Sequence, residues 1–457
     1  MYKSLAEAGS ELPPLGLATV AAVTRQEGYN TLILDALALG MNSQETVEWI
    51  LKENPDYVGI TSVTKAIFNA ADVAKLIKKH NSKIKIIIGG PHVTAVPIET
   101  FQRFKEFDIG VFGEGEETIV ELLQALDSQK DLKKIKGLIL RDGKKIILTE
   151  RRPYIKDLDK LPFPAWDLLP DLLKYYQPAA DTINRFPATL LVTSRGCPYQ
   201  CIFCDRSVFG NVVRGFSADY IIKMINHLQK TYGIKELFIE DDNFLVLRKR
   251  LVEFCNKIIE EKIDITWSCL GRVDNVDEEI LKLMKKAGCW QINYGFESGS
   301  QRILDIINKK IKVEDSERAV AITRKAGIKV KGLFMMGNFG ETKESISETI
   351  NFIKRMPITD FHMTCFTPMP NTKAWEEAPK YGWFNPDWRK ISAWSVENFI
   401  PKGFTREDIE KYYRKCWKTF YFKPPVIWDY LKKLKNNRMR KKIIKSSFNF
   451  IKFVTEK

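Results

Sequence analysis

Long apolar runs are missing from this 457-residue chain: no stretch of 18 or more apolar residues occurs, and the opening residues lack a basic-then-apolar segment. The sequence therefore predicts neither a membrane-spanning helix nor a secretory signal, and a cytoplasmic protein is expected. Histidine is scarce, four in all and none before His80. The eight cysteines include no second C-x2-C pair and no disulfide-like spacing; three share one short loop and five lie singly. That distribution argues against a disulfide scaffold and against paired zinc knuckles. The length is too great for one ordinary core, so two or three domains are expected. With 44% hydrophobic and 28% charged residues, the composition is that of a globular protein.

What the chain does have is the segment Ser194-Arg-Gly-Cys-Pro-Tyr-Gln-Cys-Ile-Phe-Cys-Asp205, directly after the apolar run Ala188-Thr-Leu-Leu-Val-Thr193. The C-x3-C-x2-C spacing puts Cys197, Cys201 and Cys204 on one tight loop at the exit of a predicted strand. Cubane iron–sulfur clusters normally take four cysteine ligands, so three leave one iron with an open coordination position, where chemistry takes place. The alternative is a structural zinc site completed by Cys255, Cys269, Cys289 or Cys365.

Around this loop the chain reads as α/β throughout. Residues 1–130 alternate helices (Leu15–Gln26, Thr46–Lys52, Phe68–Lys79) with strands (Asn30–Leu34, Tyr57–Ser62, Lys83–Ile88, Phe107–Phe112), as in a doubly wound, Rossmann-like sheet. Ligands of such sheets sit beyond the carboxyl ends of the strands, which here carry Ser62-Val-Thr64, Gly89-Gly90 and Gly113-Glu-Gly115. Residues 131–185 read as a connector, with a hairpin about Asp142-Gly143 and a proline-rich stretch at Leu161-Pro-Phe-Pro164. Over 186–390, strand and helix repeat six times, with strands beginning near Ala188, Glu236, Ile265, Trp290, Lys329 and Asp360. Six such units predict a partial (β/α)6 TIM-like barrel whose chemistry lies at the carboxyl-end mouth.

Candidates at that mouth are Glu240, Arg272, Glu297 and Gly337. Each has a structural alternative: Asp242 or Asn243 as a helix cap, an Arg272 salt bridge to Glu240 or Glu297, and Glu341 or Thr342 capping the next helix. His362 reads as a core residue. Residues 391–457 form a small helical, basic region. Of the net charge of +15, the stretch Lys432–Lys457 supplies +9, from ten Lys/Arg and one Glu. Its Ile444, Phe448 and Ile451 share a helical stripe, which either packs on the domain or lies on the inner surface of an anionic membrane.

Taken together, these segments resemble the radical S-adenosylmethionine (SAM) enzymes with an N-terminal cobalamin-binding domain. Within them, the chain is similar to the group of anaerobic magnesium-protoporphyrin monomethyl ester cyclases and radical SAM methyltransferases. The cysteine loop matches the family motif, and Phe203 matches the aromatic placed against the adenine. In the first domain the matching residues are Pro13-Pro-Leu-Gly-Leu-Ala18, Ile60-Thr-Ser62, Ile88-Gly-Gly-Pro-His92 and Gly113-Glu-Gly-Glu116. The resemblance implies a 4Fe-4S cluster on the catalytic, metal-ligating Cys197, Cys201 and Cys204, and SAM contacts from Phe203, Glu240, Arg272, Glu297 and Gly337. It also implies cobalamin cradled by Ser62, Thr64, Gly89, Gly90 and Gly113. The implied reaction is reductive cleavage of SAM to a 5′-deoxyadenosyl radical, then methylation of an unactivated carbon, with oxidative cyclisation as the runner-up. A cobalamin-independent radical enzyme and a non-catalytic carrier are further readings. The implied partners are a small-molecule or lipid substrate and an electron donor such as flavodoxin or ferredoxin, with no nucleic acid. With no histidine before His80, the corrinoid would lack a histidine on its lower face. The family's central first strand is expected to be absent, since the chain opens inside the loop before Leu15.

Overall fold

In the computed structural model, which describes residues 12–176, 183–433 and Phe453, the first sheet has five strands. They are β1 (Tyr57–Thr61), β2 (Lys85–Gly89), β3 (Ile109–Val111), β4 (Leu138–Asp142) and β5 (Lys145–Leu148), in that spatial order. β1 to β3 run parallel; β4 and β5, the hairpin about Gly143, are added antiparallel at the edge. Ile86, Ile87 and Ile88 are consecutively buried, the signature of a strand covered on both faces. The helix before β1, Ser43–Glu53, starts at a capping box in which Asn42 and Glu45 satisfy each other's backbone donors.

Asn30–Leu34, expected as a strand, is not one. Among the described residues no strand lies beside the outer edge of β1. In a doubly wound order the 30–34 segment would sit one strand beyond that edge. An apolar run without a neighbouring ladder has no partner for its backbone groups and stays irregular.

The second sheet opens with β6 (Ala188–Leu191). Just beyond it, β7 (Ser194–Arg195) and β8 (Arg214–Gly215) form a two-residue antiparallel pair. β9 (Glu236–Ile239), β10 (Thr266–Gly271), β11 (Cys289–Glu297), β12 (Lys329–Met336) and β13 (Asp360–Cys365) follow β6 side by side in sequence order, all parallel. Intervening helices pack aromatics such as Phe254 and Phe352 against Trp267 and Phe334, giving an open half-barrel. Helix Arg406–Tyr421, capped by Thr405 and Asp408, closes over β13, where the Tyr413 hydroxyl donates to the Met363 carbonyl at 2.7 Å. Phe453 is buried beside Tyr413 and Trp417. Ile444, Phe448 and Ile451 of the basic stripe lie outside the described residues. Among the described residues no helix is long and apolar enough to cross a membrane.

The two sheets are not independent. Trp388 and Ile391, which follow the half-barrel, belong to the apolar core of the first sheet, and the Trp388 ring lies 4.5 Å from that of His92. The Gly113–Glu116 turn after β3 meets β7 after β6. The carboxyl ends of the two parallel sheets thus face each other.

Candidate active site

The cysteine loop, residues 196–213, hangs from the β7–β8 pair as from a neck. Gly196 has φ +86°, and a Cβ there would stand 2.5 Å from the Val212 carbonyl, so the neck accepts only glycine at this point. Asp241, fully buried at the exit of β9, accepts hydrogen bonds from the Thr193 hydroxyl at 2.6 Å, the Thr193 amide and the Ser194 hydroxyl. Arg250 closes the same knot by donating to the Thr193 carbonyl at 2.7 Å. Farther out, the Ile202 amide donates to Ile307, Asn308 donates to the Gln200 carbonyl, and Ala374 donates to the Ile202 carbonyl. Four segments distant in sequence, at Asp241, Arg250, Ile307–Asn308 and Ala374, therefore fix one loop.

As protein groups alone two of the three thiols, those of Cys201 and Cys204, resist ionising. Burial pushes Cys201 up, and Lys309 and Arg272 oppose that shift. Cys204 opens on the surface, yet desolvation and the Asp242 charge push its thiol up to about 12. Thiolates in such a place need bound cations beside them, which suits metal ligation. Among the described residues no group of three His, Cys, Asp or Glu side chains is gathered around a single-ion position. A cubane instead takes its thiolates one per iron. Cys255, Cys269, Cys289 and Cys365, the candidates for a fourth zinc ligand, are buried in the half-barrel core. A cleft of about 350 Å3 opens beside Cys201 and Cys204, with Asn308, Arg206 and Lys373 on its walls.

Three strand exits surround the loop. After β9, Glu240 is half-buried and its carboxylate has no hydrogen bond or ion pair among the described residues; burial alone pushes its carboxyl above the usual range. Its neighbour Asp242 is also raised by burial and by Asp241, and accepts the Gly196 amide. Of the three acids, then, Asp241 holds the neck, and Glu240 is the one whose carboxylate has no partner among the described residues. After β10, Arg272 pairs bidentately with Asp274 at 2.9 and 3.0 Å and donates to the Lys309 carbonyl. The same guanidinium stacks 3.5 Å from the Tyr199 ring centre and comes within 4.0 Å of the Cys201 sulfur. The expected alternative, a salt bridge to Glu240 or Glu297, is not formed. Asn243 and Asn275 extend this network to the Tyr199 hydroxyl.

After β11 the backbone bulges between Gly295 and Glu297, and Glu297 takes a left-handed φ of +63°. Such strain in a non-glycine residue costs on the order of 1 kcal/mol and persists where the surroundings impose it. Lys309 supplies that constraint with a buried ion pair at 2.7 Å. Neither Lys309 nor Tyr199 was singled out in the sequence; only their nearness to the motif residues in three dimensions identifies them. After β12, Gly337 has φ +81° and faces Ile409 and Pro401, while Thr342 caps helix Lys343–Arg355. Phe203 is half-buried against the half-barrel core.

Across the gap, Ser62, Thr64, Gly89, Gly90 and Gly113 lie at the ends of β1, β2 and β3, but their groups do not all point outward. The Ser62 hydroxyl donates to the Val63 carbonyl at 2.9 Å, and Thr64 bonds His92 Nδ1 at 3.1 Å. Gly90, at φ +96°, is required by its own fold, because a Cβ would stand 2.6 Å from the Thr61 hydroxyl. Gly113, at φ +84°, is the glycine with open space around its Cα. His92 is buried between Thr64 and Thr100, and desolvation holds its pKa at about 4, so it stays neutral and engaged.

Comparison with known proteins fits this arrangement. The radical SAM superfamily profile matches residues 191–353, and the B12-binding-domain profile matches residues 3–123. An uncharacterized methyltransferase of Pyrococcus horikoshii is 38% identical over 92% of this chain and 90% of its own length. The anaerobic magnesium-protoporphyrin IX monomethyl ester cyclase of Cereibacter sphaeroides is 26% identical over 92% of this chain and 68% of its own. In fold, the chain is similar to the cobalamin-dependent SAM radical enzyme OxsB, with a TM-score of 0.76, 18% identity, and coverage of 97% of this chain and 69% of that one. The chain belongs to the cobalamin-binding radical SAM family, whose enzymes work with a 4Fe-4S cluster, S-adenosylmethionine and cobalamin.

Proposed function

We propose that this enzyme transfers a methyl group to an unactivated carbon of a small-molecule or lipid substrate held between the two sheets. The observation that carries the reading is the facing of the two sets of strand ends, with the cysteine loop on one side and the Gly113 opening on the other. Cys197, Cys201 and Cys204 hold the cluster, and Phe203 flanks the adenine. Glu240, the unpaired carboxylate, accepts the SAM ammonium, and burial keeps water from competing for it. Glu297, oriented by Lys309, accepts from the ribose hydroxyls, and the turn at Gly337 brings backbone against the adenine. Arg272 places a fixed positive charge beside the Cys201 sulfur and favours its thiolate. Ser62, Thr64, Gly89, Gly90 and Gly113 shape the corrinoid cradle, Gly113 by backbone approach and the others by holding the turns in place. When bound, the cluster supplies the electron that cleaves SAM, and cobalamin supplies a transferable methyl group. The chain's own residues orient these groups and exclude water.

The relationship to a magnesium-protoporphyrin cyclase favours oxidative cyclisation as the second reading. Anaerobically reconstituted, reduced protein supplied with methyl-labelled SAM and cobalamin decides between them. Methyl transfer predicts 5′-deoxyadenosine together with methylcobalamin, seen by its visible absorption, and then label on product. Deoxyadenosine with no label beyond SAM favours cyclisation, and no deoxyadenosine at all defeats both.

A further inference from the structure

The Gly113-Glu-Gly-Glu116 turn ends a strand of the cobalamin-binding domain, yet its two carboxylates face the other domain. Glu114 Oε1 accepts from Arg195 at 2.8 Å and from Arg214 at 2.9 Å; Glu114 Oε2 accepts from Arg214 at 2.9 Å and from the Ile155 amide at 2.8 Å. Glu116 accepts from the other arm of Arg195. All four charged side chains are less than a tenth exposed. Both Glu114 oxygens are therefore fully occupied, and Glu114 has no acceptor left over for the amide groups of a corrinoid.

The two arginines are the informative partners. Arg195 lies on β7 and Arg214 on β8, so the acids grip both sides of the neck from which the cysteine loop hangs. A two-residue antiparallel pair does not hold itself together. The connector joins the same clamp: Arg214 donates to the Ile155 carbonyl at 2.8 Å and stacks 4.7 Å from the Tyr154 ring, which itself crowds Gly210 at the far end of the loop. Buried charges of this kind seldom outdo apolar packing in stability, and their best-attested use is to fix one register among several.

We propose that Glu114 and Glu116 are positioning residues of the cysteine loop: through Arg195 and Arg214 they lock it to the cobalamin-binding domain at one separation and orientation, without themselves contacting the corrinoid. This inference rests on the cofactor placement proposed above, but its test does not require turnover. Full-length Glu114→Gln and Glu116→Gln proteins, reconstituted anaerobically, are compared with the parent in three measurements. These are aquacobalamin affinity by visible titration, amide hydrogen exchange across residues 194–215, and the electron paramagnetic resonance spectrum of the reduced cluster with and without SAM. Aquacobalamin affinity stays within about twofold, exchange in 194–215 accelerates about tenfold or more, and the SAM-induced spectral change broadens or shrinks. A fall of about tenfold in aquacobalamin affinity, with or without faster exchange, overturns the proposal, because the acids then serve the corrinoid site or the whole first domain. Unchanged values in all three measurements overturn it as well. Should Glu114→Gln fail to fold, Glu116→Gln carries the same readouts, since Arg195 keeps Glu114 as a partner. Absence of 5′-deoxyadenosine in the parent protein would defeat the functional reading while leaving the exchange result to judge the clamp.

Discussion

The neck of the cysteine loop and the ends of the first sheet confront each other across one gap, and they are built in opposite ways. At the neck the positions are set by buried charges: Asp241 with Arg250 on one side, Glu114 and Glu116 with Arg195 and Arg214 on the other. At the first sheet Ser62, Thr64 and His92 bond to their own neighbours, and the open approach is to backbone at Gly113. Sulfur ligands must be held to a fraction of an ångström, which directional ionic hydrogen bonds achieve. A broad macrocycle needs instead a surface that its bulk can approach, which small residues and main chain provide.

This contrast is broken most severely at the sulfurs. Cys201→Ala is expected to reduce 5′-deoxyadenosine formation to background and to lower the bound iron and sulfide found by elemental analysis. The next largest effect falls on the neck. Asp241→Asn leaves Arg250 buried with a neutral partner; breaking a buried pair in this way costs about 3–5 kcal/mol, measurable by denaturant unfolding, with loss of cluster retention. On the cobalamin side the corresponding effect is one of pH. The folded-state pKa of His92 is lowered from 6.5 to about 4, so the unfolded chain takes up the proton first. Stability is therefore retained above about pH 6.5 and falls by about 3 kcal/mol as the pH drops towards 4. Unfolding followed over that range should show the loss, and His92→Gln should flatten it. The smallest effect is expected at Gly113→Ala, where open space leaves only the left-handed backbone to resist; stability falls by about 1 kcal/mol, and aquacobalamin titration reads whether the cradle is blocked.

The half-barrel was legible because strand and helix alternate through it, four of its strands, β9 to β12, closing on a glycine or an acid, and because the cysteine spacing has few competing meanings. The Asn30–Leu34 segment was misread because a strand's existence depends on a neighbour that sequence pattern does not guarantee. At the site, the sequence located Glu240, Arg272 and Glu297 at strand exits but could not divide the labour of Glu240, Asp241 and Asp242. Only the direction of each side chain shows that Asp241 is committed to Thr193 and Ser194. Lys309 and Tyr199 escaped notice for the same reason, and so did the ionic role of Glu114, which depends on arginines about 80 and 100 residues away.

Trp388 carries one further consequence. Its ring fills a place in the hydrophobic interior of the first sheet although it is encoded after the last half-barrel strand. A truncated product comprising residues 12–176 would leave that slot open to water beside His92, and a half-barrel expressed by itself would carry a solvent-facing indole. Each piece would lose packing that the other supplies, so biochemical dissection should proceed by point substitution rather than by cutting the polypeptide.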